Sequence, residues 1–154
     1  MNKSKVWTYI KSIAIPLAVG GIVGWITSKS MDMSSLKQPP LVPPSAAFPI
    51  VWIILYTLMG VSYGILDTNN LMDSEMKARY YWQLGINALW PIAFFVLEWR
   101  LFALLWIILL DVLIIKMIME FYEKNKTAAY LQIPYIVWSL FATYLNFGLY
   151  ILNR

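Results

Sequence analysis

The chain has 154 residues, 60% of them hydrophobic and only 13% charged, with a formal net charge of +4, against roughly 45–50% and 25% in ordinary soluble domains. Apolar surface on that scale excludes a water-soluble globule and calls for a bilayer, which accepts greasy side chains on every outward face. With no His and no Cys, zinc centres, thiol nucleophiles, imidazole- or thiolate-ligated haem and disulfides are excluded as well; no metal site is expected, and the scattered Lys and Arg form no cluster suited to nucleic acid.

Five apolar stretches are long enough to span, at residues 5–27, 44–66, 79–98, 101–121 and 128–150, which predicts an all-α integral membrane bundle of five transmembrane helices in a single domain over 1–154. The opening stretch, MNKSKVWTYIKSIAIPLAVGGIVGWITSKS, has basic residues followed by an apolar core, as a cleaved signal does. Its apolar part outruns the usual 7–15 residues of a signal and ends without a small-x-small site. A retained first helix is expected, with Trp7 and Trp25 as interface anchors.

The connection 28–43 follows, carrying Lys37 and two Pro-Pro pairs, Pro39-Pro40 and Pro43-Pro44. Paired prolines favour an extended, stiffened backbone that loses little entropy when held in one place. Lys37, Pro39, Pro40 and Pro43 therefore read as a lid, the alternative being a plain spacer between the first two helices. Lys37, with Arg100 across the mouth, is placed to meet ligand carboxylates at the water boundary.

Within the spans, counting inward from the outer end at about 1.5 Å per residue puts Trp52, Trp90 and Ala142 about eight residues deep, and Tyr56, Asn87 and Trp138 about one turn further. Helical spacing places Trp52 with Tyr56, Asn87 with Trp90, and Tyr135, Trp138, Ala142 and Asn146 together on shared faces. Belt tryptophans explain Trp7, Trp25, Trp82 and Trp99. Trp52, Trp90 and Trp138 are too deep for a belt, and an indole N–H in hydrocarbon needs a partner or a polar cavity. Three such rings beside Asn87 and Asn146 predict an enclosed aromatic pocket large enough for a flat, largely apolar guest. Pro91 and Pro134 are expected to bend their helices and leave space. Gly20 with Gly24 and Gly60 with Gly64 have the G-x-x-x-G spacing of close helix packing, within the chain or in a homodimer. Asp111, near the centre of the fourth span, must face protein, where Tyr or Trp donors are the expected partners.

Five spans put the termini on opposite sides. Lys3, Lys5, Lys11, Lys77, Arg79, Lys124 and Lys126 then share the N-terminal side, and Lys29, Lys37, Arg100 and Arg154 the other. The excess of positive charge favours an N-terminus inside.

The segments LKQPPLVPPSAAFPIVWIILYTLMG, QLGINALWPIAFF and AAYLQIPYIVWSLFATYLNFGLYILN resemble the second, third and fifth helices of the translocator protein family. That family is also known as the tryptophan-rich sensory proteins or peripheral-type benzodiazepine receptors. The combination of PP-x4-F-x3-W-x3-Y, N-x2-W-x3-FF and PY-x2-W-x3-A-x3-N carries the resemblance. The chain departs from it at Leu41, Val42, Ala46 and Ala47, where relatives commonly carry aromatics. The resemblance implies a five-helix protein, often a homodimer, in a bacterial cell membrane, with lipid around it. It also implies binding of porphyrins and benzodiazepine-site ligands inside the bundle, under the first loop. Carried over position by position, it implicates Pro44, Phe48, Trp52, Tyr56, Asn87, Trp90, Tyr135, Trp138, Ala142 and Asn146. The lack of His and Cys favours a metal-free porphyrin as ligand over haem, with no cofactor required. Because some relatives promote light-dependent porphyrin breakdown, Trp52 and Trp138 become candidate photo-oxidative residues. A transporter of porphyrin or lipid, or a ligand-responsive sensor or scaffold, are the alternative readings.

Overall fold

A computed structural model describes residues 2–154. Among these the chain is all-helical, with no strand. Helix α1 covers Lys3–Thr27 and closes in a short 3-10 turn, Ser28–Ser30; an irregular loop leads to α2, Ala47–Thr68. Helix α3, Ser74–Pro91, continues as a π-helical stretch, Ile92–Val96. Helices α4, Arg100–Lys124, α5, Lys126–Tyr130, and α6, Ile133–Leu152, complete the chain.

Side-chain oxygens start three of these helices. Asn2, Asp73 and Asn125 accept the free N–H groups of Lys5, Met76 and Ala128 at 2.9, 2.8 and 3.0 Å, as N-caps do. Within the apolar helices, the hydroxyls of Ser12, Thr27, Thr57 and Thr68 fold back onto carbonyls one turn earlier. This hides them from hydrocarbon without an external partner.

Among the described residues four segments are long and apolar enough to cross a membrane: Lys3–Ser30, Ala47–Thr68, Arg100–Lys124 and Lys126–Leu152. The expected count of five is not confirmed, and the shortfall is α3. The cap at Asp73 starts that helix at Ser74 rather than at 79. Glu75, Lys77 and Arg79 thus enter its first turns, and Gln83 and Asn87 dilute the rest. Arg79 pairs with Glu120 of α4 at this polar end.

The prolines act differently from expectation. Pro91 closes α3, after which the ladder widens, with the N–H of Leu97 reaching the carbonyl of Ile92 at 2.9 Å. Proline cannot donate, and a π-bulge absorbs the mismatch. Pro134 bends nothing. It occupies the first turn of α6, where the amide has no intrahelical acceptor to lose. The break lies just before it, in the turn at Leu131 and Gln132 that separates α5 from α6.

Glycines set the α1–α2 contact. A methyl group on Gly60 would overlap the Ser12 carbonyl and Ile13 Cα, one on Gly64 the Tyr9 ring, and one on Gly20 the Tyr56 ring. The glycine spacing in α2 is thus used inside the chain. Trp7, Trp25, Trp82 and Trp99 all face outward, as belt anchors would.

Candidate functional site

Side chains from α2, α3, the π stretch and α6 meet in an aromatic slot. Phe48 and Trp52 come from α2, Trp90 from α3, Phe94 and Phe95 from the π stretch, and Trp138, Ala142, Leu145 and Leu149 from α6; Met33 of the loop completes the wall. The rings lock one another. Trp52 stacks on Tyr56 at 5.4 Å and meets Tyr135 edge-on at 6.4 Å; Trp90 stacks on Phe94 at 5.0 Å; Phe48 meets Trp138 edge-on at 5.7 Å. Such offset and edge-to-face pairs are the favoured arrangements of the aromatic quadrupole.

The three deep indoles therefore border one space, as expected, but the space is not open. It amounts to about 10 Å³, at or below the size of one water. The expectation of a pocket already large enough for a planar guest is corrected here. Phe94 and Phe95, together with Met33, fill the volume that the bend at Pro91 was expected to leave.

Beneath the slot lies a hydrogen-bonded chain. The hydroxyl of Tyr56 donates to Asn87 Oδ1 at 2.6 Å, Asn87 Nδ2 donates to the Tyr135 oxygen at 2.7 Å, and the Tyr135 hydroxyl donates to Gln83 Oε1 at 2.8 Å. Because every member is satisfied, these buried polar groups fix the relative positions of α2, α3 and α6. Trp90 Nε1 donates to Asn146 Oδ1 at 3.0 Å, and Asn146 Nδ2 in turn donates to the Arg100 carbonyl at 2.9 Å. The buried Nε1 of Trp138 has no partner among the described residues.

Of the expected ligand residues, Phe48, Trp52, Trp90, Trp138 and Ala142 line the slot. Tyr56, Asn87 and Tyr135 form the floor network, and Asn146 braces Trp90. Pro44 is exposed, and its carbonyl accepts the N–H of Ala47 at the entry to α2. The sequence reading missed Met33, Phe94, Phe95, Leu145 and Leu149 as wall residues, and Gln83 in the floor. Helical spacing from Trp90 and Ala142 pointed to Phe94, Leu145 and Leu149, whereas nothing periodic pointed to Met33.

The loop is fastened to the C-terminal half of α6. Asn153 holds Lys37 with two bonds, accepting its N–H at 2.9 Å and donating to its carbonyl at 2.8 Å. The Tyr144 hydroxyl donates to the Pro40 carbonyl at 2.7 Å, and buried Pro39 packs on Gly148, which has no room for a side chain. Between loop and helix ends lies a second, more open chamber of about 440 Å³. Pro43, Ser45, Asp32, Met33 and Phe48 are among its walls. Asp32 is its one charged residue, and Ser34, whose N–H donates at 2.9 Å, holds that carboxyl below its ordinary value. Neither Lys37 nor Arg100 lines either space.

Asp111 is buried, and its oxygens accept from Ser139 at 2.5 Å and Thr143 at 2.6 Å. The expected Tyr or Trp donors are replaced by hydroxyls one turn apart on α6, small enough to let α4 approach. Among the described residues no His, Cys, Asp and Glu cluster able to hold a metal ion occurs.

Several outward-facing apolar helices around an aromatic interior define a multi-pass helical membrane protein. The profile of the TspO/MBR family matches residues 12–152, and the chain belongs to that family. It is similar to a tryptophan-rich protein TspO of Archaeoglobus fulgidus, 38% identical over 94% of this chain and 95% of the relative. It is similar also to protein CrtK of Rhodobacter capsulatus, 30% identical over 90% and 88% of the two chains. The translocator protein of Bos taurus is 31% identical over 94% and 89%.

Proposed function

We propose that this protein binds a metal-free porphyrin, or a ligand of similar flat apolar shape, in the aromatic slot, with the loop over the entrance as a lid. The observation that carries the proposal is that Trp52, Trp90 and Trp138, from three helices, border one space that the loop residue Met33 also lines. Family membership supports it. Because the slot is closed, binding must widen it toward the 300–1,000 Å³ typical of ligand sites, and the adjoining chamber supplies part of that volume.

The test is titration with protoporphyrin IX in detergent or nanodiscs, followed by tryptophan fluorescence. Changing Trp52 and Trp138 together to Phe is expected to weaken binding about tenfold, on the order of 1.4 kcal/mol; unchanged affinity and quenching would sink the proposal. Light-driven oxidation of the bound ring by oxygen belongs to the same proposal, with Trp52 and Trp138 as the oxidisable neighbours. Equal bleaching of porphyrin by protein and by detergent alone would exclude it.

In the membrane we propose five crossings, with α3 as the polar one, and the N-terminus inside, because seven Lys and Arg residues then fall on that side against four on the other. A homodimer in a bacterial cell membrane is part of the reading. Gly24 on α1 has open space beside it, room for a helix of a second copy, and cysteine crosslinking across α1 checks this.

A further inference from the structure

The slot and the chamber share two wall residues, Met33 and Phe48. Phe48 is fixed: it sits on α2, is buried, and leans edge-on against Trp138. Met33 is the only one of the slot's wall residues that comes from the irregular loop, all others being held by helices. A guest therefore meets one movable obstacle between a chamber of about 440 Å³ and a slot of about 10 Å³.

The backbone carrying that obstacle is tied down. The Met33 carbonyl accepts from Leu36 N at 3.0 Å and from Gln38 Nε2 at 2.9 Å, and the following residues are strapped to α6 through Asn153, Tyr144 and Gly148. Moving the whole loop would break several of these bonds at once. Turning the Met33 side chain breaks none. Methionine is unbranched, with three rotatable bonds and a soft thioether that repacks easily, and the chamber is large enough to receive it.

We propose that Met33 is a side-chain gate. Its thioether swings out of the slot into the chamber and joins the two spaces into one site, while the loop stays strapped to α6. The gate sets the rate at which ligands enter. This rests on the slot being the ligand site, and two readouts keep the two ideas separable.

The first readout needs no specific ligand. Acrylamide, a small neutral quencher, is applied to the full chain and to the Met33→Ala variant, each with and without Trp52 and Trp138 changed to Phe. The quenching share owed to those two indoles should rise in Met33→Ala. The second readout is the stopped-flow association rate of protoporphyrin IX. Met33→Ala should bind about tenfold faster, within the range over which mutants of one site vary. Met33→Ile, of similar bulk but stiff at χ1, should bind more slowly than the parent. Cutting the straps with Tyr144→Phe or Asn153→Ala should leave the rate unchanged. The gate is overturned if Met33→Ala leaves acrylamide access unaltered, or if strap variants accelerate entry as much as Met33→Ala does. Greater acrylamide access without any porphyrin binding would uphold the gate and reject the porphyrin.

Discussion

Asp111 shows how a single side chain is tolerated at the centre of an apolar helix. An intramembrane carboxylate costs about 2.5–3.5 kcal/mol on insertion scales, and facing the bundle interior relieves part of that cost. What packing adds is the pair of hydroxyls from Ser139 and Thr143. Asp111→Asn keeps an acceptor for them and is expected to unfold close to the parent. Asp111→Leu strands Ser139 and should lose about 0.6–1.7 kcal/mol, the range of interhelical hydrogen bonds in membranes; thermal unfolding in one detergent ranks the three. The sequence made it plain that Asp111 must face protein, because burial of charge follows from position in a span. It did not reveal the partners, since Ser and Thr carry no signal at that distance. The same limit hid Gln83, whereas the indole of Trp90 was readable as a deep polar group in need of company, and Asn146 as an amide on a face beside the deep indoles.

At the scale of helices, α1 and α2 pack through glycines, with Gly60 set against backbone and Gly64 and Gly20 against tyrosine rings. Gly60→Val places a branched side chain against the backbone at Ser12 and Ile13. Overpacking of this kind typically costs about 1–3 kcal/mol, seen as a lower unfolding temperature. Pro134→Ala is the contrasting case: a first-turn proline gives up no hydrogen bond, so the variant should unfold within about 0.5 kcal/mol of the parent. The long helices were legible from apolar run length, but the expected single span 128–150 is divided into α5 and α6 by the turn at Leu131 and Gln132. The start of α3 was not legible, because the polar turn that Asp73 caps lies outside any hydrophobic window. Nor was the effect of Pro91, whose mismatch is taken up as a widened turn that fills space with Phe94 and Phe95 instead of opening it.

For the molecule as a whole, α3 is the crossing that decides topology, and the natural absence of cysteine makes topology directly measurable. Single cysteines at Lys29, Lys77 and Lys126 are labelled with an impermeant maleimide in sealed vesicles of known orientation. With five crossings, Lys77→Cys and Lys126→Cys react from the same side and Lys29→Cys from the other. If α3 does not cross, Lys77→Cys and Lys126→Cys separate. The convergence of three indoles was foreseeable because depth and helical face are both encoded in spacing. Whether the enclosed volume was empty depended on how Phe94 and Phe95 turned at the widened ladder, and on a loop methionine with no periodicity to betray it. One amide, finally, ties the slot wall to the outer rim: Asn146 grips the Trp90 ring with one end and the backbone of Arg100 with the other. Any occupant that displaces this ring must also strain the corner joining α3 to α4, so a spectroscopic label on that corner would report occupancy from outside the bundle.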